Sequence, residues 1–552
     1  MHVKHRIRLP QKPLFLVNTH MRTPTLIEYA SDKMLTLLLI KERAKCRRRN
    51  RSETHHRLDK ECDIDELTTR KMLSRMMPPR YTWVRPSKRL KLPNGAVDTS
   101  KNAEKALLLT IKRDVKLWKK GEYFGYLDEL YAFIDRIRER LEDGNLRLES
   151  PRLMPIFKDA EKQENGTLKV TCRPLSVYSK LEDKVILALT SRYLTRYFDG
   201  YLHEDILSYR TVRDFHGRKR YVTDFNDGVR LIKDFRERHN AGDIYAADCD
   251  IKKFYDIIPH PVVRDCFRRI LDLSDLDNDS KAQVMRVVEA YLASYNFYTN
   301  ALKESRDNPS VFDKVQRRLY DGERRNSYLL GKVDIPDEEY LQRGVPQGGA
   351  LSLLVANIVL NDVDRVIVEL PDDNRLFIRY CDDMILMHTD YKECCRLMDL
   401  YAQSLRGHGL FYHDFESVRD SKCCLSEDGK ADATTGHFWK IKSHRPFLWG
   451  KGDGDSNLYV GFLGYEIRRD GRMRLRKSNI ERFDEKFQRL RYALRRYKKS
   501  HTDEEFLAHR DQVLDKVMKG VEFYSAFDLR EFKWGSQYWH LEKLRRHLTA
   551  IL

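Results

Sequence analysis

The sequence predicts an α+β fold, and three patterns carry that prediction. Residues Ile244 to Asp250 read as a half-buried strand. Leu376, Ile378 and Tyr380 share one face before Cys381-Asp382, and the apolar Met384-Ile385-Leu386-Met387 leads away after it, the pattern of two strands joined by a tight hairpin. Ile480, Phe483, Phe487, Leu490, Leu494 and Tyr497 recur at spacings of 3, 4, 3, 4 and 3, which places them on one stripe of an amphipathic helix.

The 552 residues permit several domains, and 41% hydrophobic residues permit a substantial core. With 103 Lys and Arg against 84 Asp and Glu, the formal charge is +19, which agrees with a nucleic-acid partner. Lys41, Arg43, Lys45, Arg47, Arg48, Arg49 and Arg51 crowd one short segment, read either as a solvated helix face or as an arm contacting RNA. Pro78-Pro79, the stretch from Pro86 to Gly95, and Ser150-Pro151 mark breaks.

Ten cysteines without a Cys-x-x-Cys spacing predict a reduced, cytoplasmic protein. Cys46, His55, His56 and Cys62 could gather a zinc ion, but their spacing matches no common finger. Leu14 to Val17 is too short for a signal core, and Met34 to Ile40 is too short to cross a bilayer, so no membrane partner is expected.

The candidate chemistry lies in the acidic residues. Asp382 and Asp383 are adjacent at a hairpin tip, and Asp250 closes a strand with an aromatic, Tyr255, five positions on. Crowded carboxylates need a positive partner, and hard oxygen ligands favour magnesium or manganese. One aspartate from each strand would suit a pair of ions, which in phosphoryl-transfer sites lie about 3.5–4 Å apart. Between them, Arg343-Gly344-Val345-Pro346-Gln347-Gly348-Gly349-Ala350-Leu351-Ser352 supplies glycines for a turn that approaches a ligand closely, ahead of an apolar stretch that reads as a buried helix.

In this order, the Asp250 strand, the Gly-rich loop and Tyr380-Cys381-Asp382-Asp383 resemble the palm of reverse transcriptases, particularly the bacterial group II intron-like enzymes. Lys169-Val170-Thr171-Cys172-Arg173-Pro174-Leu175-Ser176-Val177, followed by Leu181-Glu182-Asp183-Lys184-Val185-Ile186, resembles the family's fingers strand and adjoining helix. Gly461-Phe462-Leu463-Gly464-Tyr465 resembles its primer-grip segment, with Phe462 to Tyr465 read as a strand.

The resemblance implies a right-hand polymerase: a mostly helical basic N-terminal extension at 1–145, fingers at 146–240, palm at 241–467 with an insertion near 275–340, and a helical thumb at 468–552. It implies that Asp250, Asp382 and Asp383 are catalytic and hold two Mg2+ or Mn2+ ions, Ile251 lending its carbonyl. Tyr255 would exclude a 2′-hydroxyl, Gln347 and Gly348 would lie against the nascent base pair, and Lys169 and Arg173 would hold the deoxynucleoside triphosphate. Gly461, Phe462, Leu463 and Gly464, with Arg482 and Lys486 of the thumb helix, would contact primer and template.

The implied partners are an RNA template and a DNA primer or product, and a homo-oligomer is compatible with the same reading. Departures from the family pattern are Cys381 where alanine is common, Leu353 where proline is usual, and no obvious lysine after the hairpin, leaving His413 and Lys422 as candidate general acids. About 85 residues follow Tyr465, little room for a maturase or endonuclease, so the architecture looks most like the defence-associated bacterial enzymes, which work with a non-coding RNA. Two alternatives stay open: an untemplated or protein-primed DNA polymerase, and an RNA-binding maturase-like protein with a vestigial site.

Overall fold

Helices dominate the first third of the chain. In a computed structural model, which describes residues 23–50, 60–91, 97–162, 168–208, 210–213, 219–223, 225–307, 325–329, 333–418, 441–450, 456–476, 494–507, 509–510 and 513, they are α1 (Leu26–Tyr29), α2 (Asp32–Asn50), α3 (Lys60–Arg75), α4 (Thr99–Trp118) and α5 (Gly125–Glu142). Thr25 and Glu28 form a capping box at the start of α1, and the Asp98 carboxylate caps α4 by accepting from the Lys101 N–H. In α5, Leu127, Leu130, Ile134, Ile137 and Leu141 recur at helical spacing and are all buried.

The hairpin β1 (Arg152–Lys162) and β2 (Leu168–Val177) follows, then α6 (Leu181–Tyr197), the short pair β3 (Thr211–Arg213) and β4 (Lys219–Val222), and α7 (Phe225–Arg238). Next come β5 (Tyr245–Asp250), α8 (Phe254–Ile257), α9 (His260–Asp272), α10 (Asn278–Ala293), α11 (Glu304–Asp307) and β6 (Arg325–Leu329), which pairs in parallel with β2. The remaining elements are α12 (Ser352–Val368), β7 (Arg375–Tyr380), β8 (Asp383–His388), α13 (Tyr391–Gly407), β9 (Phe415–Glu416), β10 (Ser443–Trp449), β11 (Ser456–Asn457), β12 (Tyr459–Phe462), β13 (Tyr465–Arg468) and β14 (Met473–Leu475). The architecture is α+β, with one central sheet in the order β11-β10-β5-β8-β7 and β9 also pairing with β10.

Period-two alternation along the central strands separates two cores. Ala247, Cys249, Phe377, Met384 and Leu386 pack on one face with Val355 and Val359 of α12 and Leu397 and Tyr401 of α13. Ala246, Leu376, Ile378, Ile385 and Met387 pack on the other with Val229, Ile232 and Phe235 of α7 and with Val460, Phe462 and Ile467 of the small β12-β13-β14 sheet. Leu386 is fully buried, and burying such a side chain contributes about 1.5–3 kcal/mol. The β7 edge is covered: the Arg379 N–H donates to the Asp205 carbonyl, and the Arg379 carbonyl accepts from the Leu207 N–H.

Sequence and structure differ at one strand. Gly461 to Tyr465 is not one strand: Leu463 and Gly464 form the two-residue turn of the β12–β13 hairpin, with φ of 49° and 87°. The stripe from Ile480 to Leu490, with Arg482 and Lys486, lies outside the described residues, and Leu494 is buried at the start of a helical run through residue 498. No helix among the described residues is long and apolar enough to cross a membrane.

Candidate active site

Strand register brings the acidic residues together. Asp250, the last residue of β5, pairs with Asp383, the first of β8, and Asp383 pairs in turn with Tyr380 at the end of β7. Directly opposed residues project from the same face of a sheet with Cβ atoms about 4.5–5.5 Å apart. Asp382 sits in the two-residue turn between β7 and β8, so three carboxylates meet at one end of the central sheet.

Burial, and then the Asp382 and Asp250 carboxylates, push the Asp383 carboxyl up to about 7. Asp383 is exposed as a residue, so solvent weakens the burial part, and the like-charge part is what a bound cation relieves. All three donors are hard oxygens, the set that suits Mg2+ or Mn2+. This chain's residues therefore fit a divalent-ion site.

The carboxylates rest on a built support. The Asp250 N–H donates to Ser443 Oγ at 3.0 Å, and its carbonyl accepts from the His413 N–H at 3.0 Å. Beneath the turn, the fully buried Arg379 donates from Nε to Asp364 Oδ2 at 2.6 Å and from Nη1 to the Cys381 carbonyl at 2.9 Å. Cys381 has φ of 58°, a left-handed conformation that non-glycine residues seldom adopt, so the guanidinium holds the carbonyl of the strained residue next to Asp382.

The Gly-rich loop docks on α8. The Val345 N–H donates to the Tyr255 carbonyl at 2.8 Å and the Gly344 N–H to the Ile258 carbonyl at 2.9 Å. Gly348 has φ of 83° and lies so close to Leu175 that a Cβ would collide with it, which explains the glycine. Gln347 binds in both directions: its carbonyl accepts from the Ser176 N–H at 2.9 Å, and its Nε2 donates to Asp256 Oδ1 at 2.7 Å. The loop thus links the end of β2 to the helix carrying Tyr255, whose half-buried ring meets Phe254 edge-on with centroids 5.2 Å apart.

The other predicted positions fall as follows. Ile251 is buried and bridges to Tyr412. Arg173 is exposed on β2, and Lys169 lies on the same strand opposite Glu161. Burial, and then Lys252, Lys442 and Lys253, push His413 down to about 4, so its ring is neutral near pH 7 and has no proton to spare as an imidazolium. Lys422, His55 and His56 lie outside the described residues.

Sequence reasoning missed Lys442, whose Nζ lies 3.9 Å from Asp250 Oδ2, and the Arg379–Asp364 pair. A charge inside each of two apolar segments was the available signal for that pair. A separate cluster of Cys266, Asp362 and His408 is occupied by a cation of the chain's own: Arg269 Nη2 lies 2.8 Å from Asp362 Oδ2 and 3.3 Å from Cys266 Sγ.

Residues 310–467 match the family model described as reverse transcriptase (RNA-dependent DNA polymerase). The match spans the Gly-rich loop, the Asp382-Asp383 hairpin and the β12–β13 hairpin; Asp250 precedes it and joins through strand register. A search of curated proteins returned no match.

Solved structures with similarity include the RNA-dependent RNA polymerase of a human picobirnavirus, 12% identical over 48% of this chain and 39% of that one, TM-score 0.29. Telomerase from Candida albicans in complex with a fragment of telomeric RNA is 15% identical over 77% of this chain and 66% of that one, TM-score 0.29. Apo telomerase from Candida tropicalis is 12% identical over 59% and 55%, TM-score 0.30.

Proposed function

We propose that the chain is an RNA-directed DNA polymerase that adds deoxynucleotides to a primer 3′-hydroxyl with release of pyrophosphate. The reading rests above all on the meeting of Asp250, Asp382 and Asp383 at one end of a sheet whose hairpin lies inside a reverse transcriptase domain. Asp250 and Asp382, with Asp383 beside them and the Ile251 carbonyl nearby in sequence, would hold two divalent ions. The chemistry such ions supply when bound is activation of the attacking oxygen and stabilisation of the departing one.

The chain's own residues orient the reactants. The Arg379 guanidinium fixes the turn that presents Asp382, and the Gly-rich loop, tied to Asp256 and Ser176, sets the wall against which a base pair would lie. Tyr255 borders that wall and would exclude a ribose 2′-hydroxyl. Arg173, exposed on β2, is available to a triphosphate.

Asp382→Ala should abolish incorporation of labelled deoxynucleotides on an RNA template while leaving the circular dichroism spectrum and RNA binding unchanged; synthesis by the purified variant would defeat the proposal. Tyr255→Ala should raise ribonucleotide incorporation by about tenfold or more, equivalent to about 1.4 kcal/mol of lost discrimination, measured as the ratio of kcat/KM for the two sugars. An unchanged ratio would remove Tyr255 from that role.

The same reading extends to bacterial antiphage defence with a companion non-coding RNA. What supports it is the resemblance of an intron-like palm joined to a long helical N-terminal extension. Protection of a phage-challenged host should disappear with Asp382→Ala, and protection that survives this substitution would exclude polymerisation from the defence.

A further inference from the structure

Two series of cations from different parts of the N-terminal region come to lie side by side. Residues 80–91 leave the Pro78-Pro79 break and run antiparallel along α4 as a strap. The Thr82 carbonyl accepts from Arg113 Nη2 at 3.4 Å, and the Val84 N–H donates to Thr110 Oγ1 at 2.8 Å. Farther on, Lys105 Nζ donates to the Lys88 carbonyl at 3.1 Å, and the Leu90 N–H donates to Asn102 Oδ1 at 2.8 Å. As the strap advances from 82 to 90, its partner on α4 retreats from 113 to 102.

The strap contributes Arg80, Arg85, Lys88, Arg89 and Lys91, all exposed. The helix and its C-cap contribute Lys101, Lys105, Lys112, Lys116 and Lys119, whose spacings of 4, 7, 4 and 3 put them on one stripe, about 80° around the helix from the strap's contacts at Asn102 and Arg113. Residues 80–120 hold twelve Lys and Arg against three Asp and Glu, a net +9 of the chain's +19. Two of the three acids are taken: Asp98 pairs with Lys101 at 3.7 Å and Asp114 with Arg113 at 2.8 Å. Among the described residues, none of the five strap cations, nor Lys112, Lys116, Lys119 or Lys120, has a carboxylate within 4.0 Å.

Aromatic rings mark one end of this face. Tyr81, beside the Thr82–Arg113 contact, is 89% exposed, and Tyr123, five residues past the helix, is 78% exposed; Trp118 stacks on Tyr131 instead, with centroids 5.3 Å apart, more than about 90° around the helix from the lysine stripe. A face kept basic for solubility has no need of exposed aromatic rings beside its cations. Cations without a carboxylate partner among the described residues, from Arg80 to Lys91 on the strap and from Lys105 to Lys120 along the helix, with exposed flat rings at one end, match what a single strand requires: charge to follow its backbone and platforms on which bases stack.

We infer that the strap and α4 form a docking face for single-stranded RNA, built from residues outside the proposed catalytic site. The choice of RNA rests on the polymerase reading; the charge and stacking chemistry stands without it. The face would hold a strand of RNA while Asp250 and Asp382 act on another part of it or on a paired primer.

The test uses the full chain carrying Asp382→Ala and a fluorescent, unpaired oligouridine, with anisotropy read over a potassium chloride series. Joint substitution of Lys112→Glu, Lys116→Glu, Lys119→Glu and Lys120→Glu should weaken binding by about tenfold or more and flatten the slope of log affinity against log salt by about 3. Tyr123→Ala should weaken binding severalfold without changing that slope. Affinity and slope equal to the parent's, in a variant with an unchanged circular dichroism spectrum, would overturn the inference. So would binding to phosphatidylserine vesicles that is lost with the four lysines while oligouridine binding persists.

Incorporation on a pre-annealed primer–template by the four-lysine variant, with Asp382 intact, separates the two readings. Retained incorporation with lost oligouridine binding supports both. Absent incorporation by the unsubstituted chain, with oligouridine binding that depends on the four lysines, defeats only the polymerase reading.

Discussion

Two hairpins in this chain turn in two residues, and they solve the same steric problem differently. Between β12 and β13, Leu463 and Gly464 are both left-handed, with φ of 49° and 87°, the pattern of a type I′ turn, and a glycine takes one of the two positions. Between β7 and β8 only Cys381 is left-handed, with φ of 58°, at the position where a type II′ turn prefers glycine. That second turn has a buried guanidinium donating to the carbonyl of its strained residue. The β12–β13 turn relies on glycine, whereas the turn that would present Asp382 to the proposed reaction has its geometry fixed from below.

The largest effect should follow from removing that support. Arg379→Met leaves Asp364 fully buried without its partner, and breaking a buried pair from one side costs about 3–5 kcal/mol. Urea unfolding should register this as a lowered midpoint. Arg379→Met with Asp364→Leu should recover most of the stability, because a buried ion pair often exchanges with apolar residues at little cost. Nucleotide incorporation should stay depressed in the double variant, because the Cys381 carbonyl still lacks its donor. Incorporation that recovers together with stability would mean the ion pair is structural only and the contrast between the two turns is accidental.

A middle-sized effect belongs to the other hairpin. Gly464→Ala places a Cβ on a residue at φ of 87° and should cost about 1–2 kcal/mol. Incorporation by the folded fraction should be little changed if this turn only redirects the chain. A selective rise in KM for the primer–template, at unchanged stability, would instead give the turn a contact with nucleic acid and narrow the difference between the hairpins.

The sequence makes legible what lies within a few residues of itself. The β7–β8 hairpin follows from alternation around Cys381-Asp382, and the helix after the Gly-rich loop follows from an apolar run that α12 realises. The Leu463-Gly464 turn was hidden because Phe462 and Leu463 continue an apolar strand pattern, and propensity does not anticipate a leucine with positive φ. The Asp250–Asp383 register joins strands far apart in the chain, so motif order could imply it but no local pattern could place it. Arg379 and Asp364 each stand out as a charge inside an apolar segment, but nothing local pairs them, and only their meeting in space explains either. The strap along α4 is the same case, since its contacts are side chain to backbone and leave no periodic trace.

The smallest effect tests the comparison from inside the turn that carries Asp382. Cys381→Gly removes the left-handed cost of a side chain, about 1–2 kcal/mol, but adds about 0.5–1 kcal/mol of unfolded-state freedom. The two partly offset, so stability should rise by no more than about 1.5 kcal/mol. The informative measurement is incorporation in combination with Arg379→Met and Asp364→Leu. A glycine holds φ of 58° without help, so Cys381→Gly should restore part of the activity lost with the guanidinium. If it restores none, the bond from Arg379 to the Cys381 carbonyl does more than relieve backbone strain, and orients Asp382 directly. If Cys381→Gly alone destabilises the chain, the Cys381 side chain itself carries part of the turn, and the hairpin that bears Asp382 is held from two sides.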